Sequence, residues 1–88
     1  MKLAEYLKPL GLTARADLAE QAGTSWLHLR NIAFSAKACG IQLAVDVERA
    51  TAGAVRRWDL RPDDWHRIWP ELIDTEGAPA VPAAQEAA

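Results

Sequence analysis

Two adjacent side chains, Arg30 and Asn31, carry chemistry that suits double-stranded DNA. A guanidinium can donate a bidentate pair to O6 and N7 of guanine. A carboxamide can pair in the same way with adenine, and each such pair supplies about 1–3 kcal/mol of discrimination. Ser25, Trp26 and Leu27 precede them on the same expected helix, in the N-terminal part that meets base edges when a helix enters the major groove. Leu27 suits a thymine methyl. Trp26 is bulky for a groove and fits the sugar–phosphate edge or a partner surface as well. Thr24 and Ser25 can donate to phosphate at the helix start. His28 at the flank, Lys37, Arg56 and Arg57 complete the candidate phosphate contacts. The competing reading of Arg30 and Asn31 is a solvated helix face, and that of His28 a plain or half-buried surface histidine.

No other chemistry is spelled out. Cys39, His28 and His66 are scattered, without the short-range pair of a metal site, and no nucleophile stands in spacing with a base. There is no glycine-rich phosphate loop. The reading is therefore of a non-enzyme with no cofactor and no metal. A lone cysteine excludes an internal disulfide and fits a cytoplasmic protein, and no run is long and apolar enough for a membrane helix.

The residues that must position Arg30 and Asn31 are those of Arg15–Ile32, RADLAEQAGTSWLHLRNI. Ala19 is small where two helices would approach most closely, and Gly23 stands four residues later, where the turn needs positive φ. Leu29 and Ile32 are spaced to bury against Leu18 and Ala22. This is the spacing of a helix-turn-helix, and an ordinary helical hairpin with a glycine turn is its competitor. Around it, periodicity and punctuation predict helices at about 2–8, at 13–22 capped by Thr13, from Thr24 or Ser25 to Phe34, and at 41–51 with Ile41, Ala44, Val47 and Ala50 inward. A turn of helix is expected around 56–60 and a last helix from Pro62 to Trp69, with Asp63 and Asp64 at its positive end. The fold class is all-α: a small five-helix helix-turn-helix domain over residues 1–74, followed by a disordered Ala/Pro-rich tail at 75–88.

Charge is segregated along the 88 residues. Residues 1–58 carry eight Lys/Arg against five Asp/Glu, or +3; residues 59–88 carry two against seven, or −5. A basic front permits a nucleic-acid face without requiring one. Trp58, Trp65 and Trp69 crowd the acidic end. They either close the small core or form an oligomer or partner surface, since tryptophan is enriched at interface hot spots.

The strings MKLAEYL, LAEQAGTS, LRNIA, IQLAVDVERAT and DLRPDDWHRIWPEL, spread over Met1 to about Leu72, resemble the Cro-type prophage regulators of the YdaS-like antitoxin family. The resemblance implies a cytoplasmic DNA-binding domain, a homodimer or higher oligomer, that represses or autoregulates a phage or toxin–antitoxin operon. Isologous pairing would set two recognition helices about 34 Å apart, on a near-palindromic operator. The chain departs from the family in the loop SAKACG, where Lys37 is the sole charge, and in Gly40 and Arg56 where hydroxyl residues are usual. The alternative from another class is a protein-interaction module on the same scaffold, in which Trp26, Leu27 and the tryptophan-rich end hold a partner such as a toxin.

Overall fold

The computed structural model describes residues 1–81. They form six α-helices: α1 (Leu3–Leu7), α2 (Leu12–Gln21), α3 (Trp26–Phe34), α4 (Ile41–Ala50), α5 (Arg57–Leu60) and α6 (Trp65–Ile68). A 3₁₀ turn at Pro70–Leu72 follows, and there is no strand among the described residues. The all-α fold agrees with the sequence reading. The helix count rises from five to six because the turn expected at 56–60 is a helix in its own right. Pro62 lies outside it in a turn, so α6 begins only at Trp65.

Helix ends are set by local chemistry. Gly23 has φ +74°, its N–H donates to the Glu20 carbonyl at 3.0 Å, and the Thr24 N–H donates to the Ala19 carbonyl at 2.9 Å. These are the two bonds of a Schellman motif, with glycine in the left-handed position it favours. Two residues later Ser25 Oγ accepts from the His28 N–H at 3.1 Å and caps α3. The start of α2 differs from expectation: Gly11, extended and without a side chain, is its N-cap, and Thr13 lies one residue inside the helix. Leu12 is consequently left outside the core, at 81% exposure.

Helix α4 ends in a second Schellman motif, with a departure. Ala52 N–H donates to the Arg49 carbonyl at 3.1 Å and Gly53 N–H to the Glu48 carbonyl at 2.9 Å. The first left-handed residue is thus Ala52, at φ +52°, and not Gly53. An L residue held there costs about 1 kcal/mol. Replacing Ala52 by glycine should raise stability by up to about 0.5 kcal/mol once the larger unfolded-state entropy of glycine is set against the relief. Urea unfolding of Ala52→Gly beside the wild type checks the sign.

Two apolar clusters share one interior. Leu3 and Leu7 of α1, Leu18, Ala19 and Ala22 around the end of α2, Leu29 of α3, Val47 of α4 and Val55 form the first. Cys39, Ala44, Trp58, Trp65, Trp69 and Leu72 form the second. Ile32, Leu43 and Leu60 touch both, so displacing one cluster disturbs the other. Thr51, which the sequence reading passed over, is buried beside the first cluster: its Oγ donates to the Val47 carbonyl at 2.9 Å and accepts from the Val55 N–H at 3.1 Å. Ile41, expected inside, is half exposed, because the first turn of α4 has no element packed over that side chain.

The chain does not leave the fold at Asp74. Ala78 N–H donates to the Thr75 carbonyl at 3.0 Å, Ala78 packs on the second cluster, and Gly77 lies against Trp58. The flank of Trp58 gives this apolar segment a surface to cover, which composition does not reveal. The remainder of the expected disordered tail, residues 82–88, lies outside the described residues.

Candidate nucleic-acid interface

A nine-residue helix that buries only Leu29 outright has most of its surface to spend elsewhere. At about 100° per residue, Leu29, Ile32, Ala33 and Trp26 gather on one side of α3, and Leu27, Arg30, Asn31 and Phe34 gather on the other. The burial pattern follows this division. Leu29 is buried and Ile32, Ala33 and Trp26 pack on the first cluster, while Ser25, Leu27, Arg30 and Phe34 are exposed and Asn31 is partly so. The α2–α3 corner at Gly23 therefore leaves the edge carrying Arg30 and Asn31 outside the protein.

The candidate base contacts do not all share that edge. Trp26 is drawn toward the interior: it packs on the first cluster, and the Arg15 guanidinium lies over its ring at 5.3 Å. Arg15 also donates from Nε to the Leu7 carbonyl at 3.2 Å, so Trp26 and Arg15 tie α3 to the ends of α1 and α2. Trp26 is thus a positioning side chain where a base contact was expected. The reason is a cation–π partner supplied from eleven residues upstream.

Among the phosphate candidates, Thr24 and His28 are partly exposed beside the helix start and Lys37 is exposed in the loop after α3. The Lys37 N–H donates to the Asn31 carbonyl at 3.3 Å, which anchors the loop to the helix. Arg56 and Arg57 are a correction. Their Nε atoms each lie 3.2 Å from a Glu48 carboxylate oxygen, and the Arg57 N–H donates to Glu48 at 3.2 Å. Their guanidinium groups lie over Trp58 at 4.7 Å and over Trp69 at 5.2 Å. One carboxylate on α4 thus holds both cations against the tryptophans, in a geometry that is coulombic and not aligned for hydrogen bonding at Nε. They serve the fold and are not spare charges for phosphate.

Trp58, Trp65 and Trp69 are likewise corrected as a partner surface: all three are buried. Trp58 and Trp65 meet edge to face, with ring centroids 5.7 Å apart, and Trp69 closes the cluster beside Leu72. His66 is buried edge-on to Trp65 at 5.7 Å. Among the described residues no three His, Cys, Asp or Glu side chains converge as a metal site.

Three positioning residues escaped the sequence reading because their partners are distant along the chain. Glu48 is the first. Arg49 is the second: it donates from α4 to the Gln21 carbonyl at 3.3 Å, satisfying the end of α2 beside the turn. Arg61 is the third. Its Nη1 donates to the Cys39 carbonyl at 2.6 Å, and its Nε and Nη2 donate to Asp64 at 3.0 and 2.6 Å, which fastens the loop after α3 to the α5–α6 turn. Burial pushes the Cys39 thiol up to about 11, and the nearby Arg61 opposes part of that rise.

Asp64, expected to serve a helix start, is thus spent on Arg61, and the hydrogen bonds from Arg61 hold its carboxyl below the usual carboxylate range. A lowered folded-state value contributes stability above the unfolded value, near about 3.9, and that contribution disappears as pH falls through the folded one. Asp64→Asn should therefore melt below the wild type at pH 7, and the gap should close as acid protonates Asp64 in the folded protein. Melting temperature followed against pH for both proteins checks this.

No helix of the described residues is long and apolar enough to cross a membrane. Comparison with curated proteins finds no match. Residues 11–68, from the start of α2 to the end of α6, match the family described as bacterial toxin YdaS.

Proposed function

The chain belongs to the bacterial toxin YdaS family, and from that premise we propose that it is a sequence-specific DNA-binding regulator, Cro-like or autoregulating, that lays α3 in the major groove. The observation that carries the reading is the outward edge of α3, where Arg30 is exposed and has no carboxylate partner among the described residues, with Asn31 beside it. Arg30 and Asn31 read bases, with Ser25 and Leu27 at the groove wall. Thr24, His28 and Lys37 hold phosphates. The protein is not an enzyme and uses no cofactor. It works in the cytoplasm as a homodimer or higher oligomer on a near-palindromic operator, blocking a promoter by occupying it. The toxin description is compatible with this reading, because the same contact made at a host promoter would silence it.

One observation favours a second reading. Leu27 and Phe34 are 59% and 46% exposed on the same edge of α3, seven residues apart, and that spacing suits anchors for a protein partner such as a toxin or its antagonist. A fluorescence titration with duplex from upstream of the gene separates the two. The DNA reading expects binding that weakens steeply with salt and is reduced by Asn31→Ala. Indifference of the wild type to every duplex, with a partner protein lost on Leu27→Ala, would favour the module.

A further inference from the structure

Lys2 is the N-cap of α1, and the fold gives it a neighbour. A groove of about 470 Å³ opens between the start of α1, the loop after α3 and the α5–α6 turn, and Lys2 and Lys37 both line it. Its lining includes Ile32 and Ala33, on the covered side of α3, so the groove runs beside the end of the helix that carries Arg30.

The charges around this groove are mostly committed. Asp59 accepts from the Arg56 N–H at 2.9 Å and pairs with the Met1 ammonium at 2.9 Å. Arg61 and Asp64 neutralise each other at 2.6 Å. Of the charged lining residues, Lys2, Lys37 and Asp63 remain without an ion-pair partner among the described residues. Both lysines are exposed, and their strongly hydrated ammonium groups find no carboxylate among the described residues. Two unpaired cations from segments thirty-five residues apart, flanking one groove at the end of α3, suit a single backbone phosphate better than a base edge, because neither carries the planar fork that reads bases.

We propose that Lys2 and Lys37 together form a binding site for one phosphodiester of the DNA backbone, so that the start of α1 belongs to the interface. The inference rests on the DNA-binding reading above. It assigns Lys2 a positioning contact that fixes how α3 sits along the groove without contributing to base choice.

The test is a fluorescence titration of the upstream duplex, and of an unrelated duplex of equal length, across a range of salt. The proteins are the wild type, Lys2→Gln, Lys37→Gln and, as a control outside the groove, Lys8→Gln. One neutralised phosphate contributes about 0.9 to the slope of log affinity against log salt, which corresponds to roughly five- to tenfold in affinity at 0.1 M salt. Lys2→Gln and Lys37→Gln should each lose affinity by an amount approaching this, by the same factor on both duplexes, with a shallower slope and an unchanged melting temperature. Lys8→Gln should match the wild type. If Lys2→Gln binds like Lys8→Gln while the wild type binds DNA, the phosphate site is wrong and the DNA reading stands. If the wild type binds neither duplex, both fall.

Discussion

Trp65→Ala should unfold this protein or leave it barely folded. Trp65 is 1% exposed and is the largest fully buried side chain among the described residues. It meets Trp58 edge to face and packs in the cluster that holds Cys39, Ala44, Trp69 and Leu72. Truncating a buried tryptophan costs about 3–5 kcal/mol, including the cavity that rigid neighbours fail to close. A domain of this length holds only about 4–10 kcal/mol in total. The loss would also spread, because Leu43 and Leu60 belong to both clusters and carry the disturbance toward α3. Urea unfolding followed by far-UV circular dichroism should show the midpoint falling by about a third or more, or no folded baseline at all. Trp65→Phe, which keeps an aromatic ring in the site, should fall less. A midpoint within experimental error of the wild type for Trp65→Ala would mean that the second cluster is not part of the cooperative core.

Arg30→Ala should do the opposite: leave the fold alone and damage binding. Arg30 is exposed on α3 and touches nothing that holds the core together, so its loss should change stability by no more than about 0.5 kcal/mol. A bidentate pair with guanine is worth about 1–3 kcal/mol, so affinity for the upstream duplex should fall by roughly 5- to 150-fold. The loss should be larger on that duplex than on an unrelated one, since an arginine that merely attracted phosphates would weaken both alike. Arg30→Lys should recover charge and little specificity, because an ammonium lacks the planar fork. An equal loss on all sequences would reduce Arg30 to a phosphate contact.

The parts of this structure that could be read from the sequence are those fixed by neighbours a few residues away. Gly23 and Ser25 are legible because a left-handed corner and an N-cap each demand a few residue types at set offsets from a helix end. The same kind of signal is missing at Ala52, because the left-handed position is filled by a residue type that does not announce it, one residue before a glycine. The division of α3 into buried and free sides is also local, since Leu29 and Ile32 define it by helical period. Arg56 and Arg57 were misread because their partner, Glu48, comes from the preceding helix, and nothing in either stretch alone tells a spare cation from a neutralised one. Trp26 was misread for the same reason: Arg15 covers it from α2. The clamp of Arg61 on Cys39 and Asp64 spans 22 residues on one side and three on the other, and only the short arm had a pattern to find. The fold class and the corner were therefore within reach. Which cations remain free was a tertiary question, and it decides the candidate site.

The most direct test of whether α3 presents its free edge to DNA is amide chemical-shift mapping of the full chain as the upstream duplex is added. The largest changes should fall on Thr24 to Asn31 and on the loop around Lys37, with those of α5 and α6 small. Perturbations concentrated at Arg56 to Trp69, or none at duplex concentrations in the tens of micromolar, would contradict this placement of α3.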